Sequence, residues 1–277
     1  MKRFWKSAGA ALGYFAAFLG IQLWITAAAA LFILSDLFRQ QGISLTRFPE
    51  LMLRLYTEGL TENLTVIILA SNVATVLALW LFFLLRGKKF SVEIGLLRTG
   101  AVNLLLAVVY GVGVCFSVDL LTALLPIPED MMSGFESQHD LLWEGNVWIT
   151  FLSVSLAGPV SEEICFRGLC YTRLKKAMGP ILAGLIASVF FGLAHGNPVW
   201  FLVGFLAGGA MTWIFEVTGS LWCSILVHVT NNTIATVTTF WPISEDLHRS
   251  FLWIGALLLV VSAFLLWVQN RQVRRPE

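Results

Sequence analysis

The chain has 277 residues, of which 57% are hydrophobic and 13% are charged, and its formal net charge is +1. Soluble domains carry about 25% charged residues, so this composition excludes an ordinary water-soluble protein. The near-neutral charge, without a basic cluster beyond membrane-flanking positives, is evidence against nucleic acid as a partner.

Apolar segments recur along the whole chain. A transmembrane helix needs about 20 mostly apolar residues. The segments that meet or approach this length are 8–35, 64–85, 101–125, 147–172, 181–195, 199–217, 220–240 and 251–269. We therefore predict an all-α, polytopic integral membrane bundle of about eight transmembrane helices. Residues 1–277 are predicted to form one integral-membrane domain.

Three of these regions carry more specific expectations. The first segment follows a basic start, MKRFWK, but its apolar run is too long for a cleaved signal peptide, so we predict an uncleaved helix. Residues 36–63 fit either an amphipathic interfacial helix or an ordered loop. The segment 181–195 is short, and we expect it to be buried among its neighbours.

Charged residues between the segments predict the orientation. Lys and Arg concentrate before the first segment, after the second, after the fourth and after the eighth, whereas the connection 126–146 has five acidic residues and no Lys or Arg. Because positive residues favour the cytoplasmic side, both termini are predicted to be cytoplasmic. Compact loops without eukaryotic sorting signals favour a bacterial plasma membrane.

Small residues repeat every fourth position in two neighbouring segments. The two stripes are Gly184, Ser188, Gly192 and Gly204, Gly208, Thr212. Small residues at this spacing allow membrane helices to approach closely. The pattern therefore predicts a packed helix pair, without indicating a function.

Ionisable residues within the apolar segments are few. Because they are costly at membrane depth, each is a functional candidate. They are Asp119, Glu162, Glu163, Arg167, His195, Glu216 and His228, accompanied by the neutral Asn232.

The stretch SEEICFR holds the densest polar group. On a helix Glu163 and Arg167 are i,i+4 neighbours, whereas Glu162 points about 100° away. One carboxylate can therefore pair structurally while the other acts elsewhere, although a single structural ion network is an open alternative. Gly158 and Pro159 are expected to kink or restart this helix, and Ser161 can cap the restarted part.

Two further polar groups have the same helical spacing. Phe191 and His195 are i,i+4 neighbours, and so are His228 and Asn232. His228 and Asn232 could stabilise a developing negative charge, or could simply join helices by hydrogen bonds. Asn231 is expected to point away from this pair. Together the groups supply what hydrolysis needs, which is a base, an oxyanion site and a proton donor.

These residues resemble the motifs of the CPBP family of intramembrane proteases, also called the Abi or CAAX-protease family. The motifs EExxxR, FxxxH and HxxxN are matched in order by Glu162, Glu163 and Arg167, by Phe191 and His195, and by His228 and Asn232. The resemblance covers about residues 145–240. It implies an endopeptidase acting on a membrane-embedded or lipidated peptide or protein.

The resemblance also implies roles for the motif residues. Glu162 would activate water with help from His195, His228 and Asn232 would form the oxyanion hole, and Glu163 and Arg167 would orient the site. A zinc enzyme that uses Glu162, His195 and His228 is an alternative, but the chain has no HExxH motif. We favour a glutamate mechanism without a cofactor. Cys165 and Cys170 are weaker candidates, because a thiol in apolar surroundings is normally inert.

Two other classes of function remain open from the sequence. A membrane scaffold or regulator could bind a membrane protein partner through the same fold without proteolysis. A transporter could use Asp119 or Glu216 as a proton site, but no pair of broken helices indicates an inverted repeat.

Overall fold

The protein is described by a computed structural model that covers residues 2–41, 49–143 and 145–271. These residues form helices joined by short connections, without a β-strand in the described ranges. The helices are α1 (Lys2–Gln41), α2 (Pro49–Glu62), α3 (Leu64–Leu85), α4 (Phe90–Glu93), α5 (Ala101–Leu124), α6 (Glu129–Trp143), α7 (Val147–Met178), α8 (Pro180–Leu193), α9 (Pro198–Thr218), α10 (Leu221–Phe240) and α11 (Glu245–Arg271).

The predicted membrane bundle is confirmed. Among the described residues, six helices are long and apolar enough to cross a membrane, namely α1, α3, α5, α7, α9 and α11. The two other predicted segments are also helices. Of these, α8 has 14 residues, whereas α10 has 20 residues but contains His228 and two asparagines. The protein is therefore an integral, multi-pass membrane protein.

Helix α8 departs from the expectation that it is buried on all sides. Ala183 and Ala187 are buried, but Ile181 and Leu185 on the other face are 81% and 50% exposed. The helix has two faces because small residues pack inward and large aliphatic ones point outward. A helix with such an outer face suits contact with lipid rather than a fully enclosed position.

The region 36–63 is helical where it is described. Leu37 and Phe38 belong to the end of α1, and α2 covers Pro49–Glu62. Met52 is buried, whereas Leu51 and Leu53 are exposed. The structure thus favours the helix over the loop for 49–62. Ile43, Leu45 and Phe48 of the predicted amphipathic stretch lie outside the described residues.

The small-residue stripes of α8 and α9 face each other, as predicted. A Cβ atom on Gly204 would lie 3.2 Å from the Cα atom of Gly192, and one on Gly208 would lie 3.4 Å from the Cα atom of Ser188. This close approach depends on the missing side chains. It brings Phe191 and His195 of α8 next to α7 and α9.

Salt bridges join two positively charged segments, the loop after α3 and the end of α7. Glu93 of α4 binds Lys88 at 2.9 Å and Arg173 at 2.6 Å. The hydrogen bond from Lys88, together with the charge of Arg173, holds the pKa of the Glu93 carboxyl below its usual range. The loop after α3 and the basic end of α7 therefore lie on the same side of the bundle, as the predicted orientation requires.

A buried amide pair ties α5 to α11. Asn103 and Asn270 donate to each other over 3.1 Å in both directions, and each is 7% exposed. We expect Asn270→Leu to lower the stability of the detergent-solubilised protein by about 1 kcal/mol, because the Asn103 carbonyl loses its donor. Thermal unfolding should show this loss, and the double variant Asn103→Leu/Asn270→Leu should regain part of it. An unchanged midpoint for Asn270→Leu would contradict the prediction.

Candidate active site

Helix α7 changes its winding around the first motif. π-helical turns at Phe151–Ala157 and Ile164–Tyr171 flank the α-helical Gly158–Glu163. The expected restart is therefore a change of helix type rather than a break. Ser161 does not cap a helix, because the chain is already helical before it; its hydroxyl lies 3.0 Å from the Gly158 carbonyl oxygen and contacts Asn72 Oδ1.

Glu163 is buried in a closed set of polar partners. Its Oε1 atom accepts from Arg167 Nη1 at 2.7 Å and from His228 Nδ1 at 2.9 Å. Its Oε2 atom accepts from Ser224 Oγ at 2.5 Å. Glu163 and Arg167 are both 0% exposed. The carboxylate is thus committed to holding Arg167, Ser224 and His228 in place.

Arg167 connects this cluster to α8 and α9. Its Nη2 atom donates to the Gly208 carbonyl oxygen at 3.0 Å, and its guanidinium lies 4.3 Å from the centre of the Phe191 ring. A Cβ atom on Gly208 would lie 3.1 Å from Nη2. The glycine and the aromatic residue of the motif therefore make room for the buried cation and cover it.

Glu162 points to a different place, into a cavity of about 900 Å³. Its side chain is 22% exposed, and its Oε2 atom lies 3.7 Å from His228 Nε2. Four of the six predicted site residues line this cavity, namely Glu162, His195, His228 and Asn232. Glu163 and Arg167 lie behind the wall. The two adjacent glutamates are thus in different surroundings, one accessible and one enclosed.

The two imidazoles have defined hydrogen-bond partners. His195 Nδ1 lies 2.8 Å from the Phe191 carbonyl oxygen, so it donates, and Nε2 of the neutral ring keeps its lone pair. His228 Nδ1 donates to Glu163, which leaves its Nε2 atom next to Glu162. Glu162 is thus adjacent to His228, while His195 contacts Phe191 and the Trp200 ring.

Asn232 is oriented at both ends of its amide. Nδ2 donates to the Val154 carbonyl oxygen at 2.9 Å, and Oδ1 accepts from Asn231 Nδ2 at 2.9 Å. One N–H of the Asn232 amide has no hydrogen bond in these contacts. Asn231 also lines the cavity, contrary to the expectation that it points away. Its i,i+3 spacing from His228 was the signal for this placement.

Sequence reasoning missed several residues of the site. Ser224 precedes His228 by one helical turn, and that spacing could have indicated it. Asn72 of α3 lines the cavity and accepts a hydrogen bond from Gln22 at 3.3 Å. Trp200 stacks on His195 with ring centres 6.3 Å apart. Asn72 and Trp200 lie outside the motifs, so no pattern pointed to them.

The remaining ionisable candidates are placed as follows. Asp119 lines the cavity. Glu216 is 26% exposed and binds Lys175 at 2.6 Å. Cys165 and Cys170 are buried. Cys165 Sγ lies 3.6 Å from the Tyr14 carbonyl oxygen of α1, and Cys170 Sγ lies 3.4 Å from that of Ala11. Neither thiol lines the cavity.

The zinc alternative would need Glu162, His195 and His228 as ligands of one metal ion. Zinc in catalytic sites usually takes three protein ligands. Within the described parts of the chain, no group of three His, Cys, Asp or Glu residues lies close enough to hold a metal ion. Glu162 and His228 approach each other, but His195 does not complete a ligand set with them.

Comparison with known proteins locates the resemblance in this part of the chain. Residues 144–234 match the family described as type II CAAX prenyl endopeptidase Rce1-like. A Bacillus subtilis (strain 168) protein named "Putative membrane peptidase YdiL" is 30% identical over 95 residues, which are 34% of this chain and 39% of that protein. No solved structure matches the chain.

The matched segment coincides with the site. It begins just before α7 and ends within α10, so it contains all three motifs. The match spans about two fifths of the relative's length, at 39%. The family match therefore covers the part of the cavity wall that α7 to α10 contribute, rather than the whole protein.

Proposed function

We propose that the protein is an intramembrane endopeptidase that hydrolyses a peptide bond in a membrane-associated peptide or protein. The observation that carries this proposal is the separation of the two glutamates. Glu163 is saturated by buried partners, whereas Glu162 reaches the cavity beside His228 Nε2. A free carboxylate in a cavity that can hold a substrate is the arrangement a general base requires.

Water activation is assigned to Glu162. The carboxylate accepts a proton from a water molecule in the cavity, and the resulting hydroxide oxygen attacks the carbonyl carbon of the peptide bond. His195 faces the same cavity and its Nε2 atom can accept a hydrogen bond, so it can orient that water. The protonated Glu162 then returns its proton to the leaving nitrogen as the C–N bond breaks.

Stabilisation of the oxyanion is assigned to His228 and Asn232. Glu163 and Arg167 balance each other's charge, so a protonated His228 would balance the charge of Glu162. In that form His228 donates through Nε2, while Asn232 offers its remaining N–H. Hydrogen-bond donors that the fold holds in place stabilise a developing negative charge more strongly than mobile donors do.

Cleavage of quenched-fluorescence peptides by the detergent-purified protein tests the proposal. We expect new carboxyl termini that contain ¹⁸O when the reaction runs in ¹⁸O-water, as mass spectrometry of the products would show. The library should include apolar and lipidated peptides, since the substrate is proposed to be membrane-associated. If the protein cleaves none of these, in detergent or in vesicles, the endopeptidase proposal fails and the non-proteolytic scaffold becomes the better account.

Ser224 is expected to position the buried glutamate. Ser224→Ala removes the hydroxyl that donates to Glu163 Oε2 at 2.5 Å, so Glu163 would hold His228 less firmly. We expect kcat to fall by about tenfold with little change in KM, in line with the loss of a supporting contact. Ser224→Thr keeps the hydroxyl and should retain more activity. Equal losses for both variants would indicate packing rather than positioning.

A further inference from the structure

Helix α6 forms one wall of the cavity. Phe135 packs on Trp200 with ring centres 4.6 Å apart, and Trp143 packs on Phe240 at 5.8 Å. These contacts hold the two halves of α6 against α9 and α10. The residues between them, including Glu136 and Asp140, line the same cavity as Glu162.

The cavity lining is acidic. Four carboxyl residues line it, namely Asp119, Glu136, Asp140 and Glu162, and no Lys or Arg is among the described lining residues. Glu136 and Asp140 are one helical turn apart and exposed, so they present their charges together at the rim. His139 lies 3.5 Å from Asp140 and is the ionisable neighbour that faces it.

Three basic residues of α7 are turned to partners other than the rim. Arg167 is enclosed by Glu163, and Lys175 and Arg173 bind Glu216 and Glu93. Helix α3 measures the distance between the rim and these basic residues. Its first residue, Leu64, lines the cavity, and its last, Leu85, lies just before Lys88, which binds Glu93 as Arg173 does. The 22 residues of the helix span about 33 Å. At that separation solvent and salt screen the basic groups from the rim.

The acidic rim shares its cavity with the proposed catalytic pair. His228 is only 4% exposed, and its Nε2 atom lies 3.7 Å from Glu162 Oε2. Both residues line the same cavity as Glu136 and Asp140. The negative rim and the Glu162–His228 pair therefore belong to one site that is open to a substrate.

We propose that this site selects a peptide with Lys or Arg residues beside its scissile segment, held by Glu136 and Asp140. The inference rests on the proposed function, because it names the substrate class of the same cavity. In the predicted orientation α6 is on the side opposite the cytoplasm, so the cationic part of the substrate enters from that side. Charge complementarity of this kind raises the rate of productive encounter.

The test compares three matched fluorogenic peptides that differ only in two residues on one flank, Lys-Lys, Gln-Gln or Glu-Glu. We expect wild-type kcat/KM to favour the Lys-Lys peptide over the Gln-Gln peptide by about tenfold at low salt. The double variant Glu136→Gln/Asp140→Asn should lose this preference, because it lacks the two carboxylates that hold the lysines. In about 1 M KCl the wild-type preference should shrink, because the Debye length falls to about 3 Å.

Glu245→Gln is the matched control. Glu245 is exposed at the start of α11, on the same predicted side, but it does not line the cavity. This variant should keep the preference for the Lys-Lys peptide. No preference in the wild type, or a preference that the double variant keeps, would overturn the inference while leaving the endopeptidase proposal intact.

Binding separates failure of the inference from failure of the proposed function. Glu162→Gln keeps the acidic rim and should bind the Lys-Lys peptide about tenfold more tightly than the Gln-Gln peptide, as fluorescence anisotropy would measure. The further changes Glu136→Gln and Asp140→Asn should abolish that difference. Equal binding of the two peptides by Glu162→Gln would overturn the inference even if no peptide were cleaved.

Discussion

Glu162→Gln is expected to lower the rate of peptide hydrolysis by about 10³-fold, within the usual range for loss of a general base. Glutamine keeps the shape of the side chain but cannot take the proton from water. The fold should survive, because Glu162 is partly exposed and its described polar contact is the 3.7 Å approach to His228. Initial rates and the thermal midpoint should be measured on the same preparation.

Glu216→Gln is the control for this variant. Glu216 is also a glutamate in an apolar helix, but it binds Lys175 and does not line the cavity. We expect its rate to stay close to that of the wild type. Full activity in Glu162→Gln, or equal losses in both variants, would contradict the assignment of Glu162 as the base.

Arg167→Met is expected to have the largest effect on stability. The guanidinium and the Glu163 carboxylate are both 0% exposed and lie 2.7 Å apart. Removing the cation leaves a buried carboxylate with only His228 and Ser224 as partners, and such a loss costs about 3–5 kcal/mol. Denaturant unfolding in mixed micelles, or the yield of folded protein, should show a severe defect.

Two variants sharpen the stability prediction. Arg54→Met removes the cation of another i,i+4 pair, with Glu58 at 2.8 Å, but that Arg side chain is 76% exposed, so no measurable loss is expected. Adding Glu163→Gln to Arg167→Met removes the unpaired charge and should recover part of the stability. Wild-type stability in Arg167→Met would show that the pair does not hold the site together.

Helical periodicity made the separation of the two glutamates predictable. Glu163 and Arg167 pair at i,i+4, and Glu162 consequently points to another face. The same periodicity predicted that the small residues of α8 and α9 would meet. Both features follow from residue spacing along a single helix, so they can be predicted from the sequence.

Other features depend on contacts between distant segments. The approach of His228 to Glu162 and the placement of Asn72 result from how α3 and α10 pack on α7. The π-helical turns were also outside what spacing could predict, because an i→i+5 pattern has no clear sequence signature. Helix α6 had an acidic composition, but nothing in it indicated that Glu136 and Asp140 line the cavity.

The central claim is that Glu162 activates water without a metal ion. The most direct test measures hydrolysis of one cleavable peptide by wild type and Glu162→Gln after exhaustive chelation, with metal content determined by mass spectrometry on the same samples. The account predicts that wild type with far less than one metal ion per protein keeps its rate, while Glu162→Gln is slower by about 10³-fold. A wild-type rate that disappears with the metal and returns with added Zn²⁺ would contradict it.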